Sequence, residues 1–266
     1  MAVDMAILSF LFGIILGSFL NVVAYRLPRK ESIVFPPSRC TSCNADIKYY
    51  CMIPVISWLL LWGRCRSCKS KISLRYFIVE LGTGFLFLLI VEKFQSRSPI
   101  LLTAVLFLAA ITITLALIDL DTHTLPNQIL LPSFIIGSLT LGIDGIINHN
   151  YPALVRAVMG GLALGLFYLI LSLIYPGGMG MGDVKFAGLL GLFLGYLSWG
   201  VLLVATFSAF FLGGIFAIAL LLTRNAHRKS GIPFGPWMSI GTWVGILFGA
   251  SILYRYYSIF GLVNRA

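Results

Sequence analysis

Charge is what this chain lacks. Only nine residues are Asp or Glu, charged residues of every kind make up 11%, and the three histidines, His123, His149 and His227, are scattered too widely to suggest a metal site. That composition excludes an ordinary soluble domain, because 59% of the residues are hydrophobic against roughly 45 to 50% in soluble proteins. No strand–GxGxxG–helix unit is present, which excludes a soluble dinucleotide-type cofactor fold. Internal repeats, low-complexity tracts and long linkers are absent too. The first apolar run, Met5 to Tyr25, has neither a basic n-region nor a small-residue cleavage site, so a retained helix is expected there.

Long apolar runs dominate, and the mean hydropathy is +0.98. A span needs about 20 mostly apolar residues, which predicts an all-α integral membrane protein of about eight transmembrane helices. They fall at 5–25, 76–95, 99–118, 127–147, 153–175, 184–198, 200–222 and 236–257. The sixth is short and glycine-rich, so a tilted or re-entrant piece is its alternative. Three domains are expected: residues 1–25 as the first helix, 26–75 as a cytoplasmic loop, and 76–266 as a polytopic domain.

The net charge of +10 does not point to nucleic acid. Ten of the nineteen Lys and Arg lie between Arg26 and Arg75, in one loop between apolar spans, and clustered basic residues mark cytoplasmic loops. The loop after the seventh span carries Arg224, Arg228 and Lys229, whereas the segments after spans two, four and six hold only Lys93, Arg97 and Arg156. Both termini are therefore expected on the periplasmic side, with membrane lipid as the surrounding partner. The polar breaks at 119–126 and 176–183 then share the cytoplasmic face.

Within the basic loop, Cys40, Cys43, Cys65 and Cys68 form C-x2-C-x21-C-x2-C. Paired knuckles of this kind are the usual form of a four-cysteine structural zinc site. Two disulfides are the other reading, disfavoured in a reducing compartment. Cys51 has no partner and reads as a small buried hydrophobe. Tyr49 to Trp62, apolar and aromatic but short, is expected to lie along the membrane interface.

Two breaks carry acids. GGMGMGDVK, from Gly177 to Lys185, ends its glycines at Asp183, and IDLDTHTLPN opens on Asp119. A charge beside a hydrocarbon core is costly and by default functional. Two carboxylates brought close can share one proton and act as base and acid together, the chemistry of an aspartic protease. Alternatives stay open: Asp119 ending its helix, Asp183 serving as a helix N-cap, or Asp121 taking the catalytic role. The glycines suit either close approach of a substrate backbone or a flexible connector.

These segments, together with GSFLNVVAYRLP at 17–28, RYFIVEL at 75–81, PFGP at 233–236 and GMGDVKFAGLLGLFLG, resemble the bacterial type IV prepilin peptidases, a family of GxGD-type intramembrane aspartic proteases. The likeness covers nearly the whole chain. It implies Asp119 and Asp183 as the catalytic pair, with Asp121, Gly180, Gly182 and Lys185 as supporting or substrate-loop residues. Asn127 departs from the Asp found in many members. The resemblance further implies cleavage of prepilins or type II secretion pseudopilins at the cytoplasmic face of the inner membrane, then N-methylation with S-adenosylmethionine. For that cofactor Asn21 and Glu80 are the weak candidates. Outside this family, an acid pair in a membrane also suits a transporter or channel, and a zinc loop suits a membrane adaptor.

Overall fold

The computed structural model of the protein describes residues 2–35, 37–40, 42–175, 178–223 and 233–260. Pro36, Gly177 and the stretch with Arg224, His227, Arg228 and Lys229 lie outside the described residues. Among the described residues the fold is helical, with two isolated bridges and no strand. The long helices are α1 (Ala2–Arg26), α3 (Leu74–Phe94), α4 (Pro99–Thr122), α5 (Asn127–Ile147), α6 (Tyr151–Ile174), α7 (Met181–Leu197), α8 (Trp199–Leu222) and α9 (Gly235–Ile259), and the basic loop holds the short helix α2 (Ile56–Leu60) with 3-10 turns at Leu27–Arg29 and Tyr49–Cys51.

Among the described residues seven helices are long and apolar enough to cross a membrane. The eighth, α7, has 17 residues, about 26 Å at 1.5 Å per residue, against a hydrocarbon core of about 30 Å. It begins three residues before the expected 184 because Gly180 is its N-cap, which places Met181, Gly182 and Asp183 in its first turn.

The chain divides into two units, Met1–Gln95 and Ser96–Ala266. In the first, α1 packs on α3 through small residues: a Cβ on Gly13 would lie 2.8 Å from the Gly84 Cα, and one on Gly17 would lie 2.9 Å from the Thr83 hydroxyl. The loop between them folds into two knuckles of the same build. Asn44 N–H donates to the Cys40 carbonyl and Lys69 N–H to the Cys65 carbonyl, at 2.9 and 3.0 Å. Isolated bridges Arg39–Asp46 and Arg64–Lys71 close them, and Asn44 and Lys69 both take positive φ. RCTSCN and RCRSCK are therefore one motif used twice, a 25-residue repeat that was not expected. Between the knuckles, Ile56, Leu59, Leu60 and Trp62 are exposed.

In the second unit α4 carries buried residues along its length from Leu101 to Asp119. Polar contacts tie it to α9: Trp243 Nε1–H donates to Thr112 Oγ1 at 3.0 Å and the Ser239 hydroxyl to the Thr112 carbonyl at 3.1 Å. Such bonds hold helices together where no hydrophobic driving force separates protein from lipid. Helices α6 and α7 approach through glycines, with a Cβ on Gly160 falling 2.6 Å from the Gly191 carbonyl. Gly160 thus lets these two helices pack closely within the chain.

Candidate active site

Asp119 lies in the last turn of α4 and is only 4% exposed. Its Oδ2 accepts the Gly235 N–H, at the start of α9, over 2.8 Å. A carboxylate this buried requires donors, and the first turn of a helix supplies N–H groups with no partner of their own. Glycine is required at 235 because a Cβ there would sit 2.8 Å from the same Oδ2.

Asp183 occupies the third position of α7, partly buried. It is not the N-cap; its Oδ2 reaches back to accept the Gly180 N–H at 2.9 Å, the carboxylate half of a capping box. The other half cannot form, since glycine has no side-chain acceptor.

The two acidic breaks meet. Gly182 packs on Leu125 in the connection between α4 and α5, where a Cβ would come within 2.9 Å of the Leu125 Cβ, and Lys185 Nζ donates to Asn127 Oδ1 at 2.9 Å. Asp119 and Asp183 are thereby held within electrostatic reach of each other. Asn127, where the family resemblance led one to look for Asp, serves as the acceptor for Lys185. Asp121, two residues beyond Asp119, is exposed, as expected for a residue about 200° farther round the helix.

Residues 11–94 match the bacterial peptidase A24 N-terminal domain and residues 106–218 match the type IV leader peptidase family. The chain belongs to the type IV leader peptidase family. Among its relatives, a prepilin leader peptidase/N-methyltransferase of Aeromonas salmonicida is 35% identical over 94% of this chain and 93% of its own length. Proteins of the same description from Pseudomonas putida and Neisseria gonorrhoeae are 33% and 34% identical, covering 92% and 89% of this chain and 91% and 88% of their own. No solved structure matches. As a member of this family the chain is a multi-pass membrane peptidase.

The leader peptidase's four cysteines form a second centre. Their Sγ atoms all lie within 4.8 Å of one another, with Cys40 and Cys68 3.8 Å apart. Four thiolates around a zinc ion at about 2.3 Å stand about 3.8 Å from each other, so the donor set fits. The Ser42 N–H, followed by that of Cys43, pulls the Cys40 thiol down to about 6. Cys68 is lowered by the Ser70 hydroxyl. Cys43 runs the other way: the Ala45 N–H lowers it, but the Cys40 and Cys68 sulfurs together push it up to about 11. Thiolates crowded in this way repel unless a cation joins them.

Asn21 and Glu80 are both buried in the first unit, 4% and 6% exposed. Asn21 Nδ2 donates to the Gly17 carbonyl of its own helix at 3.2 Å. Glu80 Oε2 accepts the Val55 N–H at 2.7 Å, with Ser18 beside it. Val55 has φ 61° and ψ −56°, and the Ile56 N–H bonds back to the Pro54 carbonyl, a rare and strained γ-turn. Glu80 therefore fastens a strained turn of the cysteine-bearing loop.

Sequence reasoning passed over three features. Gly235 sat in a quoted motif without a role. Tyr168 looked like any tyrosine in a span. Asp144, 3% exposed, binds the Tyr196 hydroxyl and Asn148 Nδ2 between the end of α5 and the end of α7, far along both helices from the acidic breaks.

Proposed function

We propose that this chain removes the leader peptide from type IV prepilins or type II secretion pseudopilins, at the cytoplasmic face of the inner membrane, with Asp119 and Asp183 as its catalytic pair. The observation that carries the reading is the meeting of the two acidic breaks, through Gly182 on Leu125 and Lys185 on Asn127, which puts both carboxylates in one place. One carboxylate takes a proton from water as the water oxygen bonds to the peptide carbonyl carbon. The protonated partner supports the carbonyl oxygen as it gains the π electrons, and a proton then passes to the amide nitrogen as the C–N bond breaks. The clustering of basic residues in 26–75 supports the cytoplasmic placement.

A second step, N-methylation of the new N-terminal amine, is supported by the description its relatives carry. S-adenosylmethionine, when bound, supplies the methyl group; no residue of this chain is assigned to it. Cys40, Cys43, Cys65 and Cys68 would hold a structural zinc ion, four thiolates leaving no open position for water.

Purified protein in liposomes, incubated with a prepilin and S-adenosylmethionine, is expected to give a shortened product with an added methyl, read by mass. Asp119→Asn and Asp183→Asn are each expected to abolish cleavage. Full cleavage by either variant removes that residue from the mechanism, and an uncut prepilin with the unaltered protein refutes the activity.

A further inference from the structure

Tyr168, in the C-terminal half of α6, is 2% exposed. Its ring packs between Phe210 of α8 and Phe234, with centroids 5.4 and 6.1 Å away. Phe234 immediately precedes the glycine that donates to Asp119, and the Tyr168 hydroxyl lies within electrostatic reach of Asp183. Neither carboxylate receives this hydroxyl: Asp119 Oδ2 takes the Gly235 N–H and Asp183 Oδ2 takes the Gly180 N–H. Among the described residues the Tyr168 O–H has no hydrogen-bond partner.

That is unusual for the second unit. Its other buried tyrosine, Tyr196, gives its hydroxyl to Asp144, and buried Trp243 gives its N–H to Thr112, as buried Tyr and Trp normally do. The Tyr168 oxygen is not sealed off either: among the described residues the buried side-chain atoms without a partner are Trp58 Nε1 and Arg156 Nε, so this hydroxyl is open to water or a ligand. A group held at the acid pair with its donor uncommitted suits a ligand that brings the acceptor.

We propose that Tyr168 is a third catalytic residue, whose hydroxyl donates a hydrogen bond to the scissile peptide carbonyl and stabilises the negative oxygen that forms when water adds. The proton stays on Tyr168 throughout; only the π electrons of the carbonyl move, onto its oxygen. The ligand class is a peptide in extended conformation laid across the acid pair. This rests on the reading of Asp119 and Asp183 as the peptidase centre.

The test is the cleavage rate of Tyr168→Phe, which keeps the ring and removes one oxygen, beside Phe210→Leu, which disturbs the same aromatic cluster and keeps the hydroxyl. Loss of a preorganised donor to an oxyanion lowers kcat by about 10²- to 10³-fold. That loss is expected for Tyr168→Phe, with KM changed by less than about threefold and thermal midpoint undiminished, while Phe210→Leu keeps kcat within about fivefold. A Tyr168→Phe variant that cleaves within about twofold of the unaltered protein overturns the proposal, as does a Phe210→Leu variant that loses kcat equally. If the unaltered protein cuts no prepilin, the peptidase reading fails instead.

Discussion

Replacing Gly235 by alanine tests whether the Asp119 carboxylate is held from across the helix bundle. The new Cβ would stand 2.8 Å from Asp119 Oδ2 and 3.3 Å from both its Cβ and its Cγ. Asp119 is short and buried, so the strain cannot be relieved at the end of a long side chain. Either the carboxylate turns away from the Gly235 N–H or the start of α9 withdraws. A hydrogen bond to a charged group is worth about 1.5 to 3 kcal/mol, which is about 10- to 160-fold in rate if that bond orients the reacting group. The clash itself costs stability, typically about 1 to 3 kcal/mol for overpacking. Single-turnover cleavage of a prepilin in liposomes should therefore slow by about 10- to 100-fold, with KM little changed. Zinc content should stay constant, since the cysteines belong to the other unit. A Gly235→Ala protein with a lowered thermal midpoint but an unaltered cleavage rate would refute the dependence of Asp119 on Gly235.

Gly182→Ala brings a Cβ to 2.9 Å from the Leu125 Cβ; cleavage should fall about tenfold or more, and Leu125→Gly in the same chain, which removes the Cβ that is met, should restore part of it, a coupling expected only for residues in contact. Changing Cys65 and Cys68 to Ser should lower zinc from about one equivalent per chain to near zero by metal analysis, since two of the four ligands are gone; undiminished zinc would remove the centre. Asp144→Ala leaves the Tyr196 hydroxyl and Asn148 without their acceptor and should lower thermal stability by about 1 to 3 kcal/mol with kcat unchanged. A loss of kcat without a loss of stability would show that this acid serves the reaction. Val55→Gly relieves a conformation that costs a β-branched residue about 1 to 3 kcal/mol and should raise the thermal midpoint, whereas Val55→Pro, which removes the N–H bound by Glu80, should lower it.

Sequence reasoning reached what depends on local cost. A carboxylate beside an apolar run is expensive wherever the chain goes, so Asp119 and Asp183 stood out, and the spans followed from run length. Cysteine spacing worked for a similar reason, since two CxxC turns serve one ion whatever their surroundings. The same reasoning could not rank Asp144, equally buried, because its partner Tyr196 lies 52 residues away and meets it only when α5 packs on α7. Nor could it place the start of α7: Gly182 and Asp183 in its first turn have low helix propensity, and Gly182 is held there by its packing on Leu125 in the α4–α5 connection. The knuckle repeat escaped because hydropathy periodicity was the signal being read, while the match is in turn residues, Arg39 with Arg64 and Asn44 with Lys69.

What makes the site possible is the placement of helix starts more than the acids themselves. Asp119 stands at the C-terminal end of its own helix, where the backbone dipole disfavours a negative charge, and burial raises the cost further. The start of α9 reverses that balance by presenting the Gly235 N–H to Oδ2. Asp183 needs no such help from elsewhere, because it lies in the first turn of α7 and takes the Gly180 N–H itself. Each carboxylate thus meets a helix N-terminus, one distant in sequence and one local, and in both cases a glycine supplies the donor because the approach leaves no room for a side chain or the turn carries none. The consequence is an asymmetry between the two acids. Asp119 depends on the packing of α4 against α9, through Thr112, Ser239 and Trp243, so loosening that interface should impair the leader peptidase through Asp119 alone. Thr112→Val, which removes the acceptor for the Trp243 N–H while leaving both carboxylates in place, should therefore slow cleavage further in an otherwise unaltered protein than in Gly235→Ala, where the link to α9 is already broken.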